Sequence, residues 1–154
     1  TIRDSYILVY ALELNDHLIS VASELSRKKG LPIVFFDLKN RYGTKAISKY
    51  ASDPCEFLNL MRYADYVLTN SFHGTVFSII FQKQFLCIPH GTTPGRMINL
   101  LDKLDLSVRL SYNIKDILAI DAKIDFASVS KNMDKLKEES LKYLSWILKE
   151  SCDE

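Results

Sequence analysis

The sequence has no hydrophobic run of membrane length, no surplus of charge of either sign, no paired cysteines and no glycine-rich phosphate loop. Each absence removes a class of function. The longest apolar stretch, Val76-Phe77-Ser78-Ile79-Ile80-Phe81, is interrupted by a serine and closed by Gln82-Lys83-Gln84, far short of the about 20 residues that span a bilayer. Neither a transmembrane helix nor a signal peptide is expected. Lys and Arg number 20 against 19 Asp and Glu, so the charge balance draws the chain neither to nucleic acid nor to an anionic membrane. The cysteines Cys55, Cys87 and Cys152 are odd in number, lack CxxC spacing and sit in or beside apolar segments, as free thiols do in a reducing compartment. A cytoplasmic protein without disulfides or a zinc site is the expectation. Asp, Glu and His show no metal-ligand spacing, so no metal is implied. Without a repeat, a low-complexity run or a linker, the 154 residues read as one compact domain.

What is present is an alternation of buried strands and amphipathic helices. Tyr6-Ile-Leu-Val-Tyr-Ala-Leu12 is a continuous apolar run of β-formers, suited to a strand covered on both faces. Asn15-Asp16 then offers a helix cap, Leu18, Ile19, Ala22 and Leu25 recur at helical spacing, and Gly30 follows three basic residues as a C-terminal stop. Leu31 to Asp37 resumes as a second buried strand, completing a β-α-β unit of the kind that crosses over right-handed. A polar stretch from Lys39 to Ser52 gives way to Asp53-Pro54-Cys55-Glu56, a helix start with a cap, a first-turn proline and a capping-box-like glutamate. Strands are predicted at Tyr66–Thr69 and Phe85–Ile88, with helices from His73 or Gly74 to Gln82 and from Arg96 onward. A weaker strand is expected near Leu106 to Leu110. Asp125 caps a long last helix with the stripe Phe126, Val129, Met133, Leu136, Ser140, Tyr143, Leu144 and Ile147. The prediction is a Rossmann-like, doubly wound parallel α/β sheet of about five or six strands.

In an open parallel sheet, ligands bind beyond the carboxyl ends of the strands. The third predicted strand runs into Thr69-Asn70-Ser71-Phe72-His73-Gly74-Thr75, rich in uncharged hydrogen-bonding groups. A helix starting there would aim its first N–H groups into the crevice, with a glycine allowing close approach, which makes an anion site. His73 adds a general acid or base, or a second positive charge. A histidine at a helix start serves structure as readily as chemistry, and Ser71 also reads as a plain helix cap. His90 follows the fourth strand and reads as a loop residue that could line the same crevice, whereas His17 is expected to face solvent. Asp65 sits at the strand end opposite the crevice and is expected to cap or pair there. Asp37 stands where a dinucleotide site would hold a ribose, but no GxGxxG follows the first strand, which disfavours such a site.

The segment from Tyr63-Ala-Asp through Ser71-Phe-His-Gly74 to Phe85 resembles the signature of the polysaccharide pyruvyl transferase family. There an Ala-Asp pair, a short strand, Ser-Phe-His-Gly and an apolar helix occur in that order. Arg96 to Leu106 and Asp125 to Leu144 resemble the helices that follow, so the likeness runs from about residue 5 onward. It implies transfer of a carboxyethylidene group from phosphoenolpyruvate to a sugar of a cell-surface polysaccharide or glycolipid, with release of phosphate and no resident cofactor. It also implies an enzyme of two Rossmann-like halves resembling the GT-B fold, acting in the cytoplasm or at the inner membrane face. The present chain corresponds to the C-terminal half, and the abrupt start suggests an excised domain whose N-terminal partner, with its own binding arginine, is missing. On that footing the isolated chain is expected to turn over slowly or not at all.

By the same resemblance His73 is the catalytic histidine and Arg96 stands near a binding position of the family; Asn70, Ser71, Gly74 and Thr75, around the helix start, are the further candidates for substrate binding. Many relatives have lysine near the place of Arg96. Arginine can bind phosphate bidentately but cannot serve as a proton donor. Two alternatives share the sequence features: a GT-B glycosyltransferase domain that binds a nucleotide sugar, and a non-catalytic binding module that retains only the fold.

Overall fold

A computed structural model describes residues 5–36, 47–49, 53–89, 95–113 and 122–150. Its order is β1 (Ile7–Tyr10), α1 (Asp16–Lys29), β2 (Ile33–Phe36), β3 (Ile47–Lys49), α2 (Pro54–Tyr63), β4 (Tyr66–Thr69), α3 (Phe72–Ile80), β5 (Gln84–Cys87), α4 (Gly95–Lys103), a 3-10 turn at Ser107–Arg109, and α5 (Phe126–Glu150). The five strands form a parallel sheet in the order β3-β2-β1-β4-β5. The Rossmann-like prediction therefore holds.

The helix boundaries follow local chemistry. Asn15 accepts a hydrogen bond from the Leu18 N–H, Gly30 closes α1 at φ 66°, and Arg27, Lys28 and Lys29 occupy its last turn, where cations suit the dipole. Asp53 caps α2 through the Cys55 N–H with Pro54 in the first turn. Asp125 accepts from the Ala127 N–H at the start of α5.

Successive residues along each strand serve opposite faces. Ile7, Val9, Leu68 and Leu86 pack with Leu18, Val21, Ala22 and Leu25 of α1. Leu8, Val67, Phe85 and Cys87 pack on the other face with residues of α2, α4 and the first turns of α5. Burial of both faces explains why the strands read as unbroken apolar runs. Strand order reverses between β1 and β4, so the segments leaving these two neighbours diverge and open a crevice at their carboxyl ends.

Three expectations are corrected. The polar stretch before Asp53 contains β3, a three-residue edge strand on β2 (Val34 opposite Ile47), too short to show a hydrophobic period. The predicted strand near Leu106 to Leu110 is a 3-10 turn followed by one parallel bridge, Leu110 to Cys87, because the turn consumes the residues a ladder would need. The long stripe of α5 is only half used: Phe126, Val129 and Leu136 join the core, whereas Tyr143, Leu144 and Ile147 are exposed. Asp65 behaves as expected, accepting a hydrogen bond from the Tyr6 N–H before β1.

Candidate functional site at the turn after β4

The turn from β4 into α3 lies at the switch-point crevice. Its inner side is tightly tied. Asn70 accepts from the Leu12 N–H at 2.9 Å and donates through Nδ2 to the Glu13 carbonyl at 2.7 Å, stapling the turn to the segment that leaves β1. The Thr69 hydroxyl accepts from the Ser71 N–H at 3.0 Å. Thr75 is fully buried, with its hydroxyl donating to the Ser71 carbonyl and lying 3.1 Å from Cys87 Sγ. Burial pushes the Cys87 thiol up to about 12, partly offset by that hydroxyl, which removes it as a nucleophile near neutral pH.

Gly74 has a packing reason. A Cβ there would lie 2.2 Å from Thr69 Oγ1 and 2.8 Å from Tyr10 Cδ1, so α3 sits this close to β4 only with glycine. Beneath it an aromatic cluster of Tyr10, Phe36, Phe57 and Phe77, with ring centroids 4.9 to 5.3 Å apart, supports the turn.

The outer side is differently furnished. Helix α3 begins at Phe72, slightly earlier than expected, with Ser71 as its cap residue, and the Ser71 side chain makes no capping hydrogen bond. Its hydroxyl oxygen is buried without a partner. The Thr75 N–H is the first to close an intrahelical bond, to the Ser71 carbonyl. The N–H groups of Phe72, His73 and Gly74 precede that bond, so they have no acceptor within α3. His73 is exposed, its ring 6.0 Å from that of Phe72 at a steep angle. Arg96, also exposed in the first turn of α4, holds its guanidinium carbon 5.1 Å from the Phe72 centroid, a cation–π distance. Phe72 thus packs against the core and also touches the imidazole and the guanidinium.

Of the six residues singled out in the sequence, His73 and Arg96 are exposed and each lies beside the Phe72 ring, Ser71 and Gly74 form the helix start, and Asn70 and Thr75 are braces. The platform role of Phe72 depends on Arg96 arriving from another element, which the order of residues along the chain does not show. His17 does not face solvent as expected: it is half-buried, with Nε2 enclosed and unpartnered. Asp37 and His90 lie outside the described residues. Among the described residues no cluster of His, Cys, Asp and Glu is suited to a metal ion, and no helix is long and apolar enough to cross a membrane.

A recess of about 300 Å³ lies between the 3-10 turn and the start of α5, lined by Arg109, Lys123 and Ser128 but also by Asp105 and Asp125. Arg109 there donates to the Ala122 carbonyl, which ties the two segments together. None of the residues of the β4–α3 turn lines it.

In overall shape the chain is similar to a solved structure described as the glycotransferase of kitacinnamycin, with a TM-score of 0.58 and 10% sequence identity. The match covers 88% of this chain and 40% of that one. At that identity the likeness concerns the fold, and the chain spans well under half the length of its structural relative. No curated protein matches the sequence. The profile of the family described as polysaccharide pyruvyl transferase matches residues 1–92, which contain both the β4–α3 turn and the strands that frame it, and the chain belongs to that family.

Proposed function

We propose that the turn after β4 binds the anionic donor of a pyruvyl transfer, phosphoenolpyruvate, and that a second Rossmann-like half supplies the other wall of the site and most of the contacts to the sugar. The observation that carries this reading is the start of α3 without a side-chain cap, flanked by His73 and Arg96. Phosphoenolpyruvate has two anionic groups. Three helix-start N–H groups suit one of them, and a guanidinium in the next helix suits a phosphate or carboxylate through paired hydrogen bonds. Chemically, the methylene carbon of the donor takes up a proton, its neighbouring carbon bonds to two sugar oxygens, and phosphate departs. Of the two hydroxyl protons released, one balances the new methyl group and the other leaves with phosphate. Of the two groups beside Phe72, His73 is the one able to hold and hand on such a proton, since arginine keeps its own.

Family membership favours phosphoenolpyruvate over a nucleotide sugar, and the likeness to a glycosyltransferase is a likeness of fold. The same reading places the protein in the cytoplasm or at the inner face of the membrane, where the donor is made. Titration calorimetry on the 154-residue chain tests it. Phosphoenolpyruvate is expected to bind, more tightly than inorganic phosphate, and binding should be lost in the His73→Ala, Arg96→Ala double variant. Binding of a nucleoside diphosphate without phosphoenolpyruvate, or equal binding by the double variant, would refute the proposal. Turnover by the chain alone should be negligible, because a one-walled site loses the positioning that makes effective molarities reach about 10⁵ M or more.

A further inference from the structure

Among the described residues Arg109 is the one charged side chain that is buried, at 3% exposure. Its Nη2 donates to the Ala122 carbonyl, while Nη1 is enclosed with no hydrogen-bond partner. Burial pulls the guanidinium below its ordinary value, opposed by the neighbouring Tyr66, yet an arginine keeps its proton inside a protein. A cation withdrawn from water with one neutral acceptor is costly, and an anion beside it offsets that cost. The same side chain forms part of the wall of the recess between the 3-10 turn and the start of α5, about 300 Å³ in volume, at the lower end of small-molecule sites.

The lining says which anion fits. Two cations, Arg109 and Lys123, face two carboxylates, Asp105 and Asp125, so the recess is balanced in formal charge. A single negative charge can settle on the guanidinium, whereas a dianion such as phosphate is repelled by the carboxylates. Those carboxylates are held in place, Asp125 by the Ala127 N–H at 3.0 Å and Asp105 by Asn132 Nδ2 at 2.9 Å. Each keeps lone pairs for further donors, which suits ligand hydroxyl groups, and Ser128 adds a hydroxyl of its own. Val108 and Ile124 give the recess an apolar wall. We propose that this recess binds a carboxylate-bearing sugar unit, with its carboxylate on Arg109, its ring against Val108 and Ile124, and its hydroxyls on Asp105, Asp125 and Ser128. Such a unit has two sources: a uronic acid within the acceptor chain or, resting on the pyruvyl-transfer reading above, the ketal that the reaction itself forms. The recess shares no lining residue with the β4–α3 turn, so it can hold such a unit while the donor site is occupied.

Titration calorimetry on the 154-residue chain tests the proposal with methyl glucuronide and with a methyl hexoside carrying the pyruvate ketal. Binding in the millimolar range is expected, with methyl glucoside and inorganic phosphate weaker by about tenfold or more. Tighter binding of the ketal identifies the product as the source, and tighter binding of the glucuronide identifies the acceptor chain. Lys123 and Ser128 are exposed, so their variants keep the fold: Lys123→Glu should weaken binding by about tenfold, and Ser128→Trp should abolish it by filling the recess. Arg109→Met, checked for folding by circular dichroism, should abolish it as well. The His73→Ala, Arg96→Ala double variant separates the two sites, since it should lose phosphoenolpyruvate and keep the carboxylate sugar. If phosphoenolpyruvate fails to bind the parent while the glucuronide binds, the reading above falls and the recess stands. The recess proposal is overturned if neither carboxylate sugar binds up to about 10 mM, or if methyl glucoside binds equally well. Undiminished binding in Lys123→Glu and Ser128→Trp, or loss of the sugar in the double variant, overturns it too.

Discussion

The two sides of the β4–α3 turn are built from neighbouring residues with opposite constraints. Asn70, Ser71, Gly74 and Thr75 are buried, and their groups tie β4 to β1, α3 to β4 and α3 to Cys87. His73 and Arg96 are exposed, and what holds them is a shared contact with the half-buried ring of Phe72. The difference separates two jobs that the tetrapeptide Ser-Phe-His-Gly fuses in sequence. The inner side fixes where the helix starts, and the outer side presents groups whose removal costs the fold little. Substitutions on the inner side should therefore act on stability, and those on the outer side on ligand and turnover.

The sharpest break comes at His73. In an enzyme with both halves present, His73→Ala is expected to lower turnover by about 10²–10⁴-fold, the usual contribution of a positioned acid or base. Unfolding free energy should change by less than about 0.5 kcal/mol, as for an exposed position. His73→Gln keeps a hydrogen-bonding side chain and removes proton transfer. It should resemble Ala in turnover while retaining phosphoenolpyruvate affinity. Full activity in the Gln variant would reduce His73 to a binding group.

The reciprocal case is Gly74→Ala. The added methyl meets Thr69 at its branch point and the Tyr10 ring, and Thr69 cannot turn away without releasing the Ser71 N–H. Overpacking of this kind costs about 1–3 kcal/mol, measurable by urea unfolding, and anion affinity should fall because the helix start moves. If Gly74→Ala is as stable as the parent yet binds no anion, the inner side takes part in binding directly and the division proposed here fails.

Much of this was legible in the sequence, and the rest was hidden for identifiable reasons. Strands buried on both faces appear as Ile7–Tyr10 and Tyr66–Thr69 whatever their order, and caps such as Asn15, Asp53 and Asp125 announce themselves by position. The β3 edge strand could not be read, because three residues paired on one side carry too few side chains to make a pattern. Nor could the jobs of Asn70 and Thr75 be distinguished from ligand binding. Both are polar residues beside a crevice, and only three-dimensional proximity reveals that Asn70 spends its amide on residues 58 and 57 positions away. The α5 stripe was visible throughout, but periodicity says which side of a helix is apolar and not how far the domain reaches along it.

Arg96 sharpens the outer side. Its cation is placed by a ring contact and helix α4, so Arg96→Ala should leave stability within about 0.5 kcal/mol. It should weaken phosphoenolpyruvate binding by about tenfold, the low end for a hydrogen bond to a charged group. Arg96→Lys keeps the charge and loses both the planar stacking on Phe72 and the paired donors. It should fall between the two, and calorimetry at low and high salt would separate the charge from the geometry.

The smallest expected effect lies behind the turn and tests whether the inner side stays closed. Cys55 is exposed near the start of α2, whereas Cys87 is buried against Thr75 with its thiol pushed up to about 12. A thiol-alkylating reagent at pH 8, followed by peptide mass mapping, should modify Cys55 and leave Cys87 untouched in the native protein, because Cys87 is both unreachable and almost wholly protonated. Saturation with phosphoenolpyruvate should not change that pattern, since the ligand engages the opposite side of the α3 start. The sign of the linkage also follows. The unfolded chain releases this proton near its ordinary value of 9.0 and the native state only near about 12. Burial of Cys87 therefore favours the native state fully below pH 9, and that advantage is lost as pH rises between the two values. Labelling of Cys87 at pH 8 without unfolding would show that Thr75 and the inner side open on the timescale of the reagent, and the contrast between the two sides would then be one of degree.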